Sequence, residues 1–383
     1  MTPLVRVIAL ALAMVLLLAC EAPAAAPTSP APTATPSPTP APPTAAPTPA
    51  PYRFSLLYGD FLGAKKPTPV SVLSLNGGLP HVIATIAPEH DGRFAIHPES
   101  TSVAILDKLD HHLEHTTTWR VRLVDLAAGR ERDVIGERTD DEPVVPWDVS
   151  WSADGRLLLA SRPSLDVIDL TSGARTPLLR FPPGTIGVTF RDTAHPALVV
   201  SQTLQTFSIY VVDAGAVRHV ADRDIAGATE YAFRPGSDEV LELVTRYDGR
   251  VTLALLRGEV AREWTLDGPK VEGYVPLIGT TPSSAFLVWP IQQSDPASLD
   301  TEGSAYLYSL SYDATLTALA RLRNWGEFGP LGVSPDGRAL IVPTGEKAAS
   351  DARFSIAICC ERRPPVPLLD FGDRFVIGWI AER

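Results

Sequence analysis

Val149-Ser150-Trp151-Ser152-Ala153-Asp154-Gly155-Arg156-Leu157-Leu158-Leu159 and Gly332-Val333-Ser334-Pro335-Asp336-Gly337-Arg338-Ala339-Leu340-Ile341 carry one device twice. In each, an apolar strand ends at a serine, Asp-Gly reverses the chain and an arginine opens the next apolar strand. The glycine accepts positive φ and the aspartate caps the turn. Weaker copies lie at Phe94–Glu99, Phe190–Pro196, Tyr231–Asp238 and Ile278–Ser284. Anchored on Pro98, Ala153, Thr193, Pro235, Pro282 and Pro335, the intervals are 55, 40, 42, 47 and 53 residues. Short Val-, Ile-, Leu- and Phe-rich runs recur between Gly, Pro, Asp and Ser clusters, and no stretch keeps a helical period for long. An all-β chain with this spacing reads as a propeller.

Downstream of several anchors comes a second hairpin, as in Val121–Arg130 and Leu165–Arg175, so each unit holds four strands. The pattern resembles the TolB-type β-propeller repeat, related in shape to WD-repeat propellers. Ser-Pro-Asp-Gly-Arg stands between strands one and two, and Asp-Leu-x-x-Gly between three and four. The resemblance covers most of residues 53–383 and implies a fold, not a partner. Six anchors define six units. Phe54–Tyr58, Val70–Leu75 and His81–Ala87 supply three further strands at the start, and Phe375–Ile380 reads as a spare first strand at the end. Pairing the two ends predicts a closed ring of seven four-stranded blades with no open edge between first and last. A multi-sheet sandwich or an open solenoid is the alternative.

The chain before this domain has another character. Arg6 precedes an unbroken apolar run, Val7–Ala19, too short for a permanent membrane helix, and Leu17-Leu18-Ala19-Cys20 resembles the bacterial lipobox. The resemblance implies diacylation of Cys20 and attachment to the outer face of the cell membrane, since two acyl chains give stable anchoring where one does not. From Glu21 to Pro51 the sequence is almost entirely Ala, Pro, Thr and Ser. Such a stretch favours extended polyproline II and forms a disordered spacer on the order of 90 Å long. The expected organisation is a signal peptide at 1–19, a lipidated cysteine and stalk at 20–51, and a β-propeller at 52–383.

The formal charge of −11 makes nucleic acid an unsuitable partner and disfavours adsorption of the folded domain to anionic lipid. Beyond Cys20 the chain has only Cys359 and Cys360, too few for a disulfide scaffold. In an exported protein the adjacent pair forms either a vicinal disulfide, which can line a ligand site, or two packed thiols. The stretch Asp107–His115 contains His111, His112 and His115, which as a loop could hold a borderline metal such as zinc. Its His-His-x-x-His spacing matches no established site, and a solvated polar loop is the alternative.

In a propeller the one–two and three–four turns share one face, and the other connections share the second. The second set carries the expected insertions: Gly59–Pro69, Asp107–Thr118, Glu137–Pro146, Pro290–Gly303 and Thr344–Ala352. Loops growing on one face of a rigid repeat place the functional surface there. Trp147 and Trp325 fall in or beside these connections as candidates for stacking on a sugar or peptide, with core packing as the alternative. Trp151, Trp289 and Trp379 read as inter-blade core. No Gly-x-Ser-x-Gly elbow, Walker loop or dinucleotide fingerprint is present, so no catalytic residue and no cofactor is assigned. The sequence favours a non-catalytic membrane-tethered module that binds a protein, peptide or glycan through the long-loop face. The rival is a propeller hydrolase or lyase of the lactonase or glycan-cleaving kind, with acids such as Asp148, Glu230 and Glu327 ahead of the inner strands.

Overall fold

The computed structural model describes residues 51–382 apart from 61–65, 88–90, 112–115, 142, 192–196, 214–215, 259, 269–274, 276, 291–304, 323–331, 345–352, 359–365 and 371–373. Strands β1 (Phe54–Asp60), β2 (Thr68–Ser74) and β3 (His81–Ile86) begin the first sheet. The second holds β4 (Asp91–Ile96), β5 (Ser102–His111), β6 (Thr116–Asp125) and β7 (Arg130–Asp141). The third holds β8 (Pro146–Trp151), β9 (Leu157–Ser161), β10 (Ser164–Ile168) and β11 (Arg175–Arg180). The fourth follows with β12 (Gly187–Arg191), β13 (Ala197–Gln202), β14 (Thr206–Asp213) and β15 (Ala216–Asp224). The fifth has β16 (Gly227–Phe233), β17 (Val240–Arg246), β18 (Val251–Arg257) and β19 (Val260–Thr265). The sixth has β20 (Leu277–Thr280), β21 (Ser284–Pro290), β22 (Ala305–Ser311) and β23 (Leu316–Leu322). Strands β24 (Ala339–Thr344), β25 (Arg353–Ile358) and β26 (Val366–Asp370) make a three-stranded sheet. The last strand, β27 (Arg374–Ala381), returns to pair with β1 and completes the first sheet.

The fold is an all-β propeller. The expected seven four-stranded blades are found as six, because the seventh sheet has only three named strands among the described residues. Its inner position is taken by a short segment that makes a single bridge, Val333 to Leu340, and accepts the Ile341 amide at Gly332. Pro335 stands in the turn that follows this segment, where the Ser334 carbonyl accepts the Gly337 amide.

Each sheet is covered on both faces by its neighbours, and that explains the burial pattern along the strands. The second strands β9 and β17 are buried almost throughout and are mostly apolar, whereas every residue of the outer strand β11 is half-buried or exposed. Every adjacent pair of sheets shares an apolar cluster. Leu106, Trp119, Val121, Trp151 and Leu159 join the second sheet to the third, and Leu56, Tyr58, Ala339, Ile341 and Trp379 join the seventh to the first. Trp151 Nε1 also donates to the Ala95 carbonyl across the gap at 3.0 Å, and Trp289 is buried at the join of the fifth and sixth sheets. The three strand tryptophans thus lie between sheets as expected.

The Asp-x-x-x-Gly turns between third and fourth strands lock neighbouring sheets together. Asp125 accepts the amides of Ala127 and Ala128, and Asp169 those of Thr171 and Ser172. The glycines that follow, Gly129 (φ +61°) and Gly173 (φ +69°), bring the turn hard against the outer strand of the preceding sheet. A Cβ on Gly129 would stand 2.7 Å from the Ile83 carbonyl oxygen, and one on Gly173 would stand 2.4 Å from that of Val134.

Two expected loops are strand instead. Asp107–His111 belongs to β5, and Arg130–Asp141 forms the whole of β7, so the insertions of the second sheet are long ladders. The ladder persists because its far end has its own cross-strand bonds: Thr118 Oγ1 meets Thr139 Oγ1 at 2.8 Å and Trp119 Nε1 donates to Asp140 at 3.0 Å. Pro290–Gly303 and Thr344–Ala352 fall almost wholly outside the described residues.

Gly173→Ala and Gly184→Ala separate backbone conformation from contact, since both glycines have positive φ and nothing lies within 4 Å of a Cβ on Gly184. Gly184→Ala is expected to cost about 1–2 kcal/mol for the left-handed backbone alone. Gly173→Ala should cost clearly more in urea denaturation; equal losses would mean that the turn does not press on the neighbouring sheet.

Candidate functional site: the axial channel and the long-loop face

The first strands β4, β8, β12, β16 and β20 run along the ring axis with β27, and side chains that stay partly exposed on them line the channel. Four charged residues come from four successive strands: Arg93 on β4, Asp148 on β8, Arg191 on β12 and Glu230 on β16. Asp148 and Glu230 lie within their strands rather than ahead of them, as the sequence had suggested. The reason is that β8 and β16 pair with their neighbours from Pro146 and Gly227 onward. Glu327 lies outside the described residues.

The acids are already engaged. Asp148 accepts the Val149 amide at 2.9 Å and, across the sheet boundary, the Phe190 amide at 3.0 Å. Burial pushes its carboxyl above the ordinary carboxylate range, against the pull of these two amides and of Arg93 and Arg191. Glu230 is paired with Arg191 at 3.1 Å, yet burial raises its carboxyl too. The bases are less committed. Arg191 Nε is buried with no hydrogen-bond partner among the described residues, and Arg93 is exposed with no ion pair among them.

Trp147 sits half-buried at the long-loop end of β8. The Arg162 guanidinium lies 4.9 Å and the Lys108 ammonium 5.8 Å from its ring centroid, and a Cβ on Gly187 would come within 3.6 Å of the indole. Two cations thus flank this ring, which stands where the second, third and fourth sheets come together.

Large apolar side chains are left exposed on the same face. Val144 (44%), Ile186 (39%), Leu204 (82%) and Tyr247 (88%) all stand in connections of the long-loop face, on the third to fifth sheets or at their entry. The others among the described residues, Leu79 and Val82, lie on the first sheet.

The remaining sequence candidates are not assembled into a site. Asp107, expected in a metal-binding loop, is fully buried and ion-paired with Arg122 at 2.7 Å and Arg120 at 2.9 Å. His111 is the last residue of β5, paired with Thr117 in the ladder. His112, His115, Trp325, Cys359 and Cys360 lie outside the described residues, and among the described ones no cluster of metal-ligating side chains occurs.

Sequence reasoning missed Arg93, Arg191 and the apolar quartet. A signal for Arg93 was available: Arg93, Asp148 and Glu230 each stand four residues before the turn residue of their repeat, His97, Ser152 and Arg234. Leu204 and Tyr247 offered none, since a single apolar residue in a short loop is ordinary until its neighbours in space are known.

No protein-family model matches the chain, and no curated protein matches it. Solved structures do. A protein from Lactobacillus plantarum is similar at 10% identity and a TM-score of 0.54, covering 87% of this chain and 100% of that one. A putative 6-phosphogluconolactonase from Bacteroides uniformis is similar at 13% identity and a TM-score of 0.52, covering 85% and 97%. Another from Bacteroides fragilis is similar at 10% identity and 0.51, covering 86% and 98%. At these identities the likeness is one of fold.

A carboxyl raised by folding binds its proton more readily in the folded chain, so the folded state is favoured at acid pH and loses that advantage as pH rises through the titration. Asp148→Asn removes this contribution. Its melting temperature relative to the parent should therefore climb as pH rises from about 4, the unfolded value; a relative decline would contradict the burial of this carboxyl.

Proposed function

We propose that this protein is a lipid-anchored propeller of the cell envelope that binds a polypeptide through its long-loop face, without catalysis. The observation that carries this reading is the exposed quartet Val144, Ile186, Leu204 and Tyr247, gathered on one face while the sheets behind it are packed. Exposed apolar groups on one face mark interaction surfaces. Three of the four are aliphatic, which suits apolar side chains of a polypeptide better than sugar rings. The chain enters the ring on the opposite face, where Tyr52 donates its amide to Asn76 and Arg338 donates to the Pro51 carbonyl at 2.9 Å. The anchor rests on Val7–Ala19 and Cys20, and the spacer on residues 21–51.

A second reading, hydrolase or lyase chemistry at the channel, is favoured by two half-buried carboxyls with raised proton affinity and by the lactonase names of two similar structures. The engagement of Asp148 by two amides and of Glu230 by Arg191 favours binding over proton transfer.

A photo-crosslinking residue placed at Leu204 or Tyr247 in cells producing the full chain should capture a polypeptide, and one placed at Leu79 on the other face should not. Capture from Leu79 alone, or from none of the three, would overturn the reading.

A further inference from the structure

The channel holds two acids and two bases, but they are not equivalent. Both Asp148 oxygens are taken by backbone amides, and Glu230 is taken by Arg191. On the basic side, Arg93 has no ion pair and Arg191 Nε no acceptor among the described residues. Arg93 and Arg191 Nε are thus donors that no acceptor among the described residues takes up. A buried donor left without a partner is costly, and a guanidinium fork matches the two oxygens of a carboxylate. Arg93 and Arg191 stand on β4 and β12, on either side of β8, both close enough to act on the Asp148 carboxyl. A group entering between them meets a guanidinium from each flank.

We propose that Arg93 and Arg191 hold a carboxylate of the bound polypeptide in the channel, either an acidic side chain or the C-terminal carboxylate. This rests on the polypeptide-binding reading and adds the chemistry that selects the ligand. The apolar quartet supplies contact without selecting sequence, and the arginine pair favours acidic segments. Such segments are not attracted by the overall charge of −11, so the preference must come from the local pair.

The test uses calorimetric titration of the full chain in detergent with three short synthetic peptides. One carries two glutamates with both ends blocked, one is all alanine with a free C-terminus, and one is all alanine with both ends blocked. At least one of the first two should bind, with Kd on the order of a millimolar for so small a ligand, and the third should not. Which of the two binds tells a side chain from a C-terminus. Arg93→Gln should weaken that binding about tenfold or more, as expected for a lost charge-assisted bond, with Arg93→Lys intermediate because it lacks the fork. Arg93 has no ion pair among the described residues to break, so the fold should survive the substitution, as circular dichroism would show. Failure of both acidic probes to saturate, or equal binding by Arg93→Gln and parent, would overturn the proposal. Crosslinking from Leu204 and Tyr247 is independent of Arg93, so that pattern would persist and show the docking reading standing alone. Arg93-dependent binding without such crosslinks would leave a carboxylate site and remove the docking face.

Discussion

The antiparallel pairing of β1 with β27 is the contact on which the rest of the structure depends. Phe54 to Asp60 face Ala381 to Arg374 across the ladder, joining residues more than 300 positions apart. Without it the first sheet lacks its inner strand and the seventh lacks a neighbour, and two apolar clusters are left open, those around Leu57 and around Tyr58. The closure is reinforced at its rim. Glu382 accepts from Ser55 at 2.9 Å, from Asn76 at 2.5 Å and from Ser74, and these hydrogen bonds hold its carboxyl below the usual range. The Glu382 amide in turn donates to the Arg53 carbonyl at 2.8 Å.

Once the ring is closed, position along the repeat determines chemistry. First strands present side chains to the axis, second strands are buried on both faces, and fourth strands face solvent. A residue four places before the turn then stands on an inner strand whatever its type, as Arg93, Asp148 and Glu230 do although they come from three separate repeats. The same rigidity holds loop residues on one face in a fixed pattern, so isolated apolar side chains such as Leu204 and Tyr247 become parts of one surface.

Much of this was legible in the residues. The Asp-Gly turns, the paired hairpins and the spare strand at Phe375–Ile380 carry strong local signals, and the ladders follow them. The expected loops of the second sheet went wrong because polar strand ends such as Arg138–Asp141 carry no apolar alternation, and only pairing with Thr116–Trp119 makes them strand. In the last sheet the inner segment keeps one bridge among the described residues, Val333 to Leu340, although its Asp-Gly turn forms as the sequence indicates. At the candidate site, Asp148 and Glu230 could be read as acids near inner strands. Their engagement by Phe190 and Arg191 could not, since those partners belong to neighbouring repeats with no fixed spacing.

Amide hydrogen exchange of the full chain tests the closure most directly. A terminal strand that merely lies against the ring frays and exchanges early, whereas one that completes a sheet exchanges only on global unfolding. If β27 closes the ring, the amides of Val376 to Ile380 and their partners in β1 should be protected to the same degree as those of β9 and β17 in the buried interior. Rapid exchange of β27 while β9 and β17 remain protected would contradict the account.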